Sequence, residues 1–522
     1  MTHKFRFFLL AILIGLSLNA TAQGYYNVLN YGAKNDSSKL ATVAIKNAIE
    51  AASKKGGGTV YFPAGKYLTG AIHLKSNITI FIDAGAELHF SDNFDDYLPM
   101  VKSRYEGVDV TSFSPLFYAY KAENIAIRGR GIIDGHGKKW WDFVEGYKQD
   151  QPRSKWQHMF DDLNKDILLP DEPKQMKRGF LRPPFIQTMY CKNVLIEGIT
   201  IRNSPFWTVN PEFCENVTFH ALTILNPKSL APNTDGINPE SCRNVRISDC
   251  YISVGDDCIT IKSGKDGPGR KMAVPAENYT ITNCTMMSGH GAVVIGSEMS
   301  GDVRKITISN CVFDGTDRGI RLKTARGRGG VVEEIRVSNI VMKNIRDQAI
   351  VLDMQYAKTN PEPVSERTPK FRNIHFSNIT GQTNQAAYLN GLEEMPIENI
   401  TFNDINLDAK TGFTINNSNK IEFHNVTVNT QLGAAVKASN VNYLVLNGVK
   451  TFSPLANTAT LDLKDVSDAF IYNAFPIASE SNYLRLSGST TKNITLGNNN
   501  FRNLKNPIKR EPEVTEAPFK VE

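Results

Sequence analysis

Residues 191–255 contain three copies of one phrase: CKNVLIEGITIRNSP (191–205), CENVTFHALTILNP (214–227) and CRNVRISDCYISVG (242–255). In each copy a charged residue and Asn follow the first Cys. A short run then alternates β-branched and polar residues, and a turn through Asn, Asp, Ala or Gly leads to a second run. Related phrases extend in both directions, as far as TKNITLGNNNF (491–501). These runs have the two-residue period of strands and are too short for helices.

The spacing of the copies indicates a solenoid. The equivalent anchor positions are roughly 23 to 34 residues apart, and they are Asn193, Asn216, Asn244, Asn278, Lys305 and Glu334. If each copy forms one coil, its strands pair with those of the next coil at ~4.8 Å and enclose an apolar interior. We therefore predict an all-β fold, a single right-handed parallel β-helix.

The first coil of a solenoid needs protection from edge pairing. Residues 39–55 have the pattern of an amphipathic helix, which we predict to be an N-terminal capping helix. We assign 1–22 to a signal peptide, 23–502 to the catalytic β-helix domain and 503–522 to a C-terminal tail that wanders or packs in extended form. An insertion at about 135–185 interrupts the repeat and contains Trp140, Trp141 and Trp156. It is either part of a binding face or a structural flap.

Composition and charge narrow the function classes. With 41% hydrophobic and 21% charged residues among 522, the chain has an ordinary globular composition rather than that of a disordered protein. The basic residues Lys4 and Arg6, the apolar run 7–18 and the small residues 20–22 are typical of a signal peptide. An uncleaved membrane anchor is the alternative. We expect an exported protein, periplasmic or secreted, without a membrane span.

The net charge is +6, and it falls to 6 − 2 = +4 when Lys4 and Arg6 leave with the signal peptide. This mild excess does not indicate a nucleic-acid partner but suits a polyanion if the charges cluster. The seven cysteines form no CxxC pair, which argues against zinc, and their place in the repeat favours packing over disulfides. We expect no cofactor, no metal and a monomer.

Four strands of the central repeats align without a gap: DGINPE (235–240), DCITIK (257–262), GAVVIG (291–296) and RGIRLK (318–323). In this register Asp235 and Asp257 are equivalent positions on successive coils, about 4.8 Å apart. Asp256 is adjacent and is equivalent to His290. Three carboxylates that crowd together cannot all be ionised easily, so one holds a proton while another stays charged. Acid and base roles in glycoside hydrolysis need that division. Each motif alone is more often an ordinary turn or a calcium ligand.

These motifs together resemble the polygalacturonase family of glycoside hydrolases. The family's four marks appear in order as Asn233-Thr234-Asp235, Gly255-Asp256-Asp257, Gly289-His290-Gly291 and Arg321-Leu322-Lys323, where Leu322 replaces a usual Ile. The phrases NSPFW (203–207), IGSEMSG (295–301) and YGAK (31–34) are also similar to the family. The resemblance covers nearly all of the chain after the signal peptide.

The resemblance implies hydrolysis of α-1,4-galacturonosyl linkages in pectin with inversion. It implies that Asp256 is the general acid, that Asp235 and Asp257 activate water, and that His290 tunes the acid. Arg321 and Lys323 are expected to hold a galacturonate carboxylate, and the match of Tyr356 to a substrate-contacting tyrosine is looser. The other expected contributors to substrate binding are Asn233 and a basic rim made of Lys262, Lys265, Arg270, Lys271, Arg326 and Arg328.

Several alternatives remain open at this stage. The substrate is galacturonan or the alternating rhamnose-galacturonate backbone, and action is endo or exo, the latter if the insertion closes one end of the cleft. A calcium-dependent pectate lyase on the same fold would use the acids as metal ligands. A β-helix that only binds polysaccharide is the non-enzymatic alternative, but carboxylates at the binding surface would repel a polyanion.

Overall fold

The computed structural model describes residues 24–146, 148, 151–167, 182–477 and 482–521. The predicted signal peptide lies outside these residues, as do several parts of the insertion. Parallel strands dominate the described chain and stack coil upon coil along three faces of a solenoid. The predicted right-handed parallel β-helix is confirmed.

The first face contains the strands that carry the repeat anchors, each paired in parallel with its equivalent in the next coil. Its separate strands are Tyr25–Asn27, Gly58–Phe62, Ile78–Ile82, Glu123–Gly129, Lys192–Glu197, Glu215–His220, Arg243–Ser248, Ala276–Thr282, Lys492–Gly497 and Phe519–Val521.

The second face follows directly along the chain in each coil. Its separate strands are Asp36–Leu40, Gly65–Thr69, Ala86–Phe90, Ile132–Asp134, Thr200–Arg202, Thr223–Leu225, Tyr251–Ser253 and Thr285–Ser288.

The third face carries the aligned catalytic motifs. Its strands are Ile72–His73, Phe117–Tyr120, Ile186–Met189, Val209–Glu212, Ile259–Ile261, Val293–Gly296 and Ile320–Lys323, followed toward the C-terminus by Leu484–Ser487 and Ile508–Arg510. Five longer strands turn corners between faces, and they are Val303–Asp314, Val331–Asp353, Lys370–Asn390, Ile397–Asn447 and Leu461–Tyr472.

The repeated asparagines explain why the coils keep one register. Asn193, Asn216, Asn244 and Asn278 all have left-handed backbone conformations, with φ between 56° and 64°, which Asn tolerates better than most residues. The side-chain N–H of each of the last three donates to the side-chain oxygen of the preceding asparagine, at 3.0 to 3.2 Å. This ladder fixes the turn of each coil on the turn below it.

The inward-facing residues of the strands form the core, and the cysteines belong to it. Cys191, Cys214 and Cys242 stack on successive coils, and the backbone N–H of each of the first two donates to the sulfur of the next at 3.4 Å. All seven cysteines are buried and free in the structure, in agreement with the packing interpretation.

Among the residues that the structure describes, four α-helices lie outside the repeat: α1 (Thr42–Lys54), α2 (Lys138–Glu145), α3 (Lys155–Asn164) and α4 (Asp266–Met272). There are also short 3-10 helices at Val28–Tyr31 and Phe94–Tyr97. Helix α1 is the predicted cap. It buries one apolar side against the first coil, consisting of Ala44, Ile45, Ala48, Ile49 and Ala52.

The described part of the insertion contains helices α2 and α3, and its tryptophans serve packing. The Trp140 ring of α2 is fully buried and lies 4.1 Å from the Phe94 ring, centroid to centroid. Trp156 of α3 packs on the same phenylalanine at 5.1 Å. These contacts attach both helices to the 3-10 helix Phe94–Tyr97, which supports a structural role for the two tryptophans.

An antiparallel hairpin, Val101–Tyr105 with Val108–Ser112, lies over the third face and was not predicted. At the C-terminus the structure adds two strands where the sequence analysis expected a tail, since Ile508–Arg510 and Phe519–Val521 pair with strands of the preceding coil. Within the described part of the chain, none of the helices combines the length and the hydrophobicity needed to cross a bilayer.

Candidate active site

The register predicted for the four aligned strands is confirmed. Ile237 pairs with Ile259, Ile259 with Val293, and Val293 with Ile320. The backbone N–H of Gly236 donates to the carbonyl oxygen of Asp257, so the coils are already paired at the start of these strands. The aspartates therefore reach the same side of the solenoid from consecutive coils.

The three aspartates line a polar cleft of about 600 Å³. Six cations and six acids line it: Lys262, Lys265, Arg318, Arg321, Lys323 and Arg328 against Glu106, Asp235, Asp256, Asp257, Glu298 and Asp317. Its other lining residues are Trp207, Asn233, His290, Ser297 and Tyr356. All nine predicted site residues are thus brought together in one cleft.

Asp235 is buried and has two hydrogen-bond donors of its own. It is 4% exposed, and its Oδ2 accepts hydrogen bonds from Asn238 Nδ2 at 2.9 Å and Thr260 Oγ1 at 3.0 Å. Burial raises the pKa of Asp235 well above its ordinary value, and the nearby charge of Asp256 adds to this shift. The raised pKa favours a proton on Asp235.

Asp256 and His290 form a pair at the cleft surface. His290 Nδ1 lies 3.2 Å from Asp256 Oδ1, and the His290 backbone N–H donates to the Asp256 carbonyl oxygen at 2.9 Å. This approach needs Gly289, which has φ +153°, because a Cβ there would lie 2.5 Å from that carbonyl oxygen. Asn233 Nδ2 is 3.4 Å from the other Asp256 oxygen.

The two partners shift each other's protonation. Burial raises the pKa of Asp256, but the hydrogen bond and charge of His290 outweigh it, and the net pKa is below its ordinary value. The hydrogen bond to Asp256 likewise raises the pKa of His290. Together, Asp256 and His290 hold one proton between a carboxylate and an imidazole over the mildly acidic range.

Asp257 is 1% exposed and faces two cations. Lys323 Nζ donates to its Oδ2 at 2.9 Å, and Arg321 Nη1 lies 3.9 Å from its Oδ1. Both cations also lie beside the ring of Tyr356, at 5.4 and 5.5 Å from its centroid. Burial lowers the pKa of Lys323, but the Asp257 charge more than compensates, so the lysine is charged.

Lys262 lies under the opposite wall of the cleft. Its Nζ is 3.9 Å from the centroid of the Trp207 ring and 3.5 Å from Glu298 Oε2. Burial raises the pKa of Glu298, but Lys262 and Arg328 outweigh it and bring the value to about 2. This wall therefore carries a fixed ion pair with an aromatic surface beside it.

The predicted basic rim is only partly correct. Lys262, Lys265 and Arg328 line the cleft, whereas Arg326 forms a two-pronged salt bridge with Glu394 away from it. Arg270 donates to the carbonyl oxygens of residues 327 and 328, and Lys271 is exposed outside the cleft. Position just after a strand did not determine which cations turn toward the acids.

Sequence reasoning missed several contributors, among them Glu106, Arg182, Trp207 and Glu298. Arg182 is buried and donates to Asn233 Oδ1 at 2.7 Å, and it also bonds the backbone before Asn233. Glu106, at the hairpin turn, reaches the cleft and lies 3.7 Å from Lys265. Neither has a local sequence signal. Trp207 and Glu298 do, since they lie inside the family-like phrases NSPFW and IGSEMSG.

This arrangement can protonate a leaving oxygen and activate a water molecule in one cleft. The Asp256–His290 pair supplies a proton at the surface, and Asp257 lies beside the cations Lys323 and Arg321, where a galacturonate carboxylate and a water molecule can also be held. Acetal hydrolysis requires those two functions on either side of the bond that breaks.

Comparison with known proteins agrees with the site. A model of glycosyl hydrolases family 28 matches residues 171–430, and a model described as rhamnogalacturonase A/epimerase, pectate lyase-like matches residues 25–146. A probable polygalacturonase of Vitis vinifera is 31% identical over 73% of this chain and 74% of its own. An endo-polygalacturonase of Pectobacterium carotovorum subsp. carotovorum is 32% identical over 74% and 88% of the two chains.

Among solved structures, an exopolygalacturonase of Thermotoga maritima is similar, with a TM-score of 0.67 and 33% identity over 78% of this chain and 92% of its own. The fold, the cleft that contains all three aspartates and these similarities agree, and they identify the protein as a glycoside hydrolase. The chain belongs to family 28 of the glycosyl hydrolases.

Proposed function

We propose that this enzyme hydrolyses α-1,4-linked galacturonan with inversion at the anomeric carbon. The observation that carries the proposal is the register that places Asp235, Asp256 and Asp257 in one cleft with Arg321 and Lys323. The polygalacturonases among the relatives support the same substrate.

The cations select a substrate that carries a carboxylate. Arg321 and Lys323 are already close to Asp257, and both face Tyr356, whose side of the cleft is open because the residue is 49% exposed. A galacturonate carboxylate bound there accepts charge-assisted hydrogen bonds from both. Lys262 and Trp207 offer a charge and a ring face to a neighbouring sugar.

In the proposed mechanism, Asp256 protonates the glycosidic oxygen as the bond to C1 breaks. Its proton is the one that it shares with His290. After the turnover the pair takes up a proton from solvent through the half-exposed imidazole, and the Asp235–Asp257 pair releases to solvent the proton that it took from water. A water molecule attacks C1 from the opposite face and gives a proton to the Asp235–Asp257 pair. One ionised carboxylate of that pair is sufficient, and Asp257 accepts a hydrogen bond from Lys323 at 2.9 Å.

The protonation of Asp235 and Asp256 without substrate differs from the protonation that the reaction requires. Burial raises the pKa of Asp235, whereas His290 outweighs burial at Asp256 and leaves its pKa below the ordinary value. Bound galacturonate brings negative charge and excludes water, and both effects raise the pKa of Asp256 toward the value that an acid needs. Substrate binding therefore favours the protonated form of Asp256 that acts as the general acid.

The replacement His290→Gln tests the shared proton. In the parent, kcat/KM should fall as pH rises through the raised pKa of His290. With glutamine, the proton resides on the carboxyl group of Asp256 alone, so we expect the alkaline limb to move to lower pH. Measuring kcat/KM against pH for both proteins checks this, and an alkaline limb at the same pH in the variant would contradict the shared-proton mechanism.

The same pair predicts a pH window for stability. The lowered pKa of Asp256 stabilises the fold above about 3.9 and loses that effect as the carboxylate is protonated. The raised pKa of His290 stabilises the fold below about 6.5 and loses that effect as the imidazole is deprotonated. The ion pair is therefore most favourable between these values, in the mildly acidic range.

The alternatives fit less well. A calcium-dependent lyase would need the acids as open oxygen ligands, but Asp257 faces two cations and Asp256 faces His290. A rhamnogalacturonan hydrolase remains the second candidate, and residues 25–146 match a model that includes such enzymes. For pure binding, three carboxylates facing a polyanion would be unfavourable.

Product analysis on purified polygalacturonate tests the function. We expect new reducing ends, no unsaturated ultraviolet-absorbing product and no loss of activity with a calcium chelator. Fully methyl-esterified pectin, which lacks the carboxylate charge, should be a poor substrate. Faster cleavage of the rhamnose-galacturonate backbone would overturn the assignment in favour of the second candidate.

We also propose exo action and export. Helix α2 follows the strand that lies three coils before that of Asp256, so the insertion can bound the cleft on that side. Galacturonate monomers or one short product should then dominate early digestion, whereas mixed oligomers would contradict exo action. Export rests on the sequence pattern of residues 1–22 and on a polymeric substrate that a cell does not take up intact.

A further inference from the structure

We propose that His89, Asp134 and His136 form a binding site for a divalent transition-metal ion such as Zn²⁺, separate from the catalytic cleft. One potential ligand atom of each residue lies within 4.8 Å of the others. The sequence analysis predicted no metal because it considered the cysteines, and these histidines are 47 residues apart in the chain.

The sheet register brings the three residues together. Strand Ala86–Phe90 pairs with Ile132–Asp134 so that His89 lies directly opposite Asp134. The chain then turns, and His136 has a left-handed backbone conformation with φ 46°. This turn returns its ring toward His89, one coil below.

The two imidazoles face each other through ring nitrogens that can bind a metal ion. His89 Nδ1 lies 3.0 Å from His136 Nε2, and Asp134 Oδ1 lies 3.9 Å from the same His136 nitrogen. Zinc–nitrogen bonds of about 2.0 to 2.1 Å in a tetrahedral site place two ring nitrogens roughly 3.3 Å apart. The rings therefore need to separate by only a few tenths of an ångström to admit an ion.

The groups behind the ligands have the arrangement common at metal sites. His89 Nε2 is buried and lies 3.2 Å from Glu87 Oε2, a charge contact without good hydrogen-bond geometry that favours a proton on Nε2 and a lone pair on Nδ1. Asp134 is held by Arg202 Nε at 2.7 Å and Asn203 Nδ2 at 3.0 Å. Carboxylate support of a ligating histidine and hydrogen-bonded ligating carboxylates both orient a metal site.

The site has room for a further ligand. His136 is part of the wall of a cavity of about 540 Å³ that Lys138, Trp141 and Asp142 also line. Three protein ligands with a fourth position open to such a cavity match an accessible zinc site. Two imidazoles favour zinc, copper or nickel over calcium and magnesium, which prefer oxygen ligands.

Strand pairing gives the position of this site. Ile132–Asp134, Thr200–Arg202, Thr223–Leu225 and Tyr251–Ser253 are successive partners. Asp256 follows the last of these, so the cluster lies three coils away, about 14 Å at the spacing of ~4.8 Å per coil. The site does not include any of the catalytic residues.

Calorimetric titration of the chelator-treated full protein with ZnCl₂ tests the proposal. We expect a saturable site with micromolar or tighter affinity that is lost in His89→Gln and His136→Gln. Glu87→Gln should weaken binding by roughly 10- to 100-fold, the usual effect of removing such a support. Circular dichroism and the thermal midpoint of each variant establish that it folds.

The matched control is His220→Gln. The His220 ring also lies near two carboxylates, 3.0 Å from Glu197 and 3.5 Å from Asp249, but neither contact adds a second imidazole. Its loss should leave zinc affinity unchanged. The proposal is overturned if the parent shows no saturable binding, or if binding survives both replacements, in which case the two rings form only a hydrogen-bonded pair.

Discussion

Replacing Asp256 with asparagine should lower kcat on polygalacturonate by about 10²- to 10⁴-fold, the usual contribution of a general acid. Asparagine has nearly the same shape, and its carbonyl oxygen can still accept from the Asp257 backbone N–H, as Asp256 Oδ1 does now at 2.9 Å. The variant should therefore fold and bind substrate with little change in KM. Steady-state kinetics on the purified proteins measures both effects.

A substrate with an activated leaving group separates the acid from the base. A galacturonosyl fluoride needs little protonation at the leaving atom, so Asp256→Asn should recover most of its activity on it. Asp257→Asn should not recover, because that variant lacks the base that activates water. Equal recovery in both variants, or in neither, would show that the acid and base roles are assigned wrongly.

Replacing Arg104 with methionine should give the largest loss of stability. The guanidinium is 2% exposed and lies 3.2 Å from Glu212 and 2.6 Å from Glu240, both fully buried. Removing one member of a buried ionic cluster leaves uncompensated charge and costs about 3 to 5 kcal/mol. We expect the hairpin 101–112 to detach first, which hydrogen exchange resolves, together with a lower thermal midpoint.

Arg128→Met is the control for that change. Arg128 lies 3.0 Å from Glu197 but is 47% exposed, so its loss should cost less than about 1 kcal/mol. Adding Glu240→Gln to Arg104→Met should recover part of the loss because it removes one unpaired charge. Equal thermal midpoints for the two single arginine variants would contradict the importance of the buried cluster.

The hairpin also shows where prediction from sequence stops. The register of Asp235, Asp257 and His290 could be predicted because the coils repeat locally, and the alternation of apolar residues permits one gapless alignment. Arg104 reaches Glu240 across 136 residues, and no repeat relates the two. Such long-range contacts depend on where the hairpin packs against the solenoid, which no local sequence pattern indicates.

Other differences have the same origin. Arg270 and Arg326 follow aligned strands, as Arg328 does, yet backbone carbonyls or Glu394 hold them away from the acids. The C-terminal residues were expected either to wander or to pack in extended form because they are polar and contain proline. Strand pairing with the preceding coil satisfies their backbone groups despite that composition.

The most direct test of the central claim is the configuration of the first product. Proton NMR during hydrolysis of a galacturonate oligosaccharide distinguishes the two anomers of the new reducing end before they equilibrate. Inversion of an α linkage by Asp256 and the Asp235–Asp257 pair predicts that the β anomer appears first. Initial release of the α anomer, or the absence of a new reducing end, would contradict it.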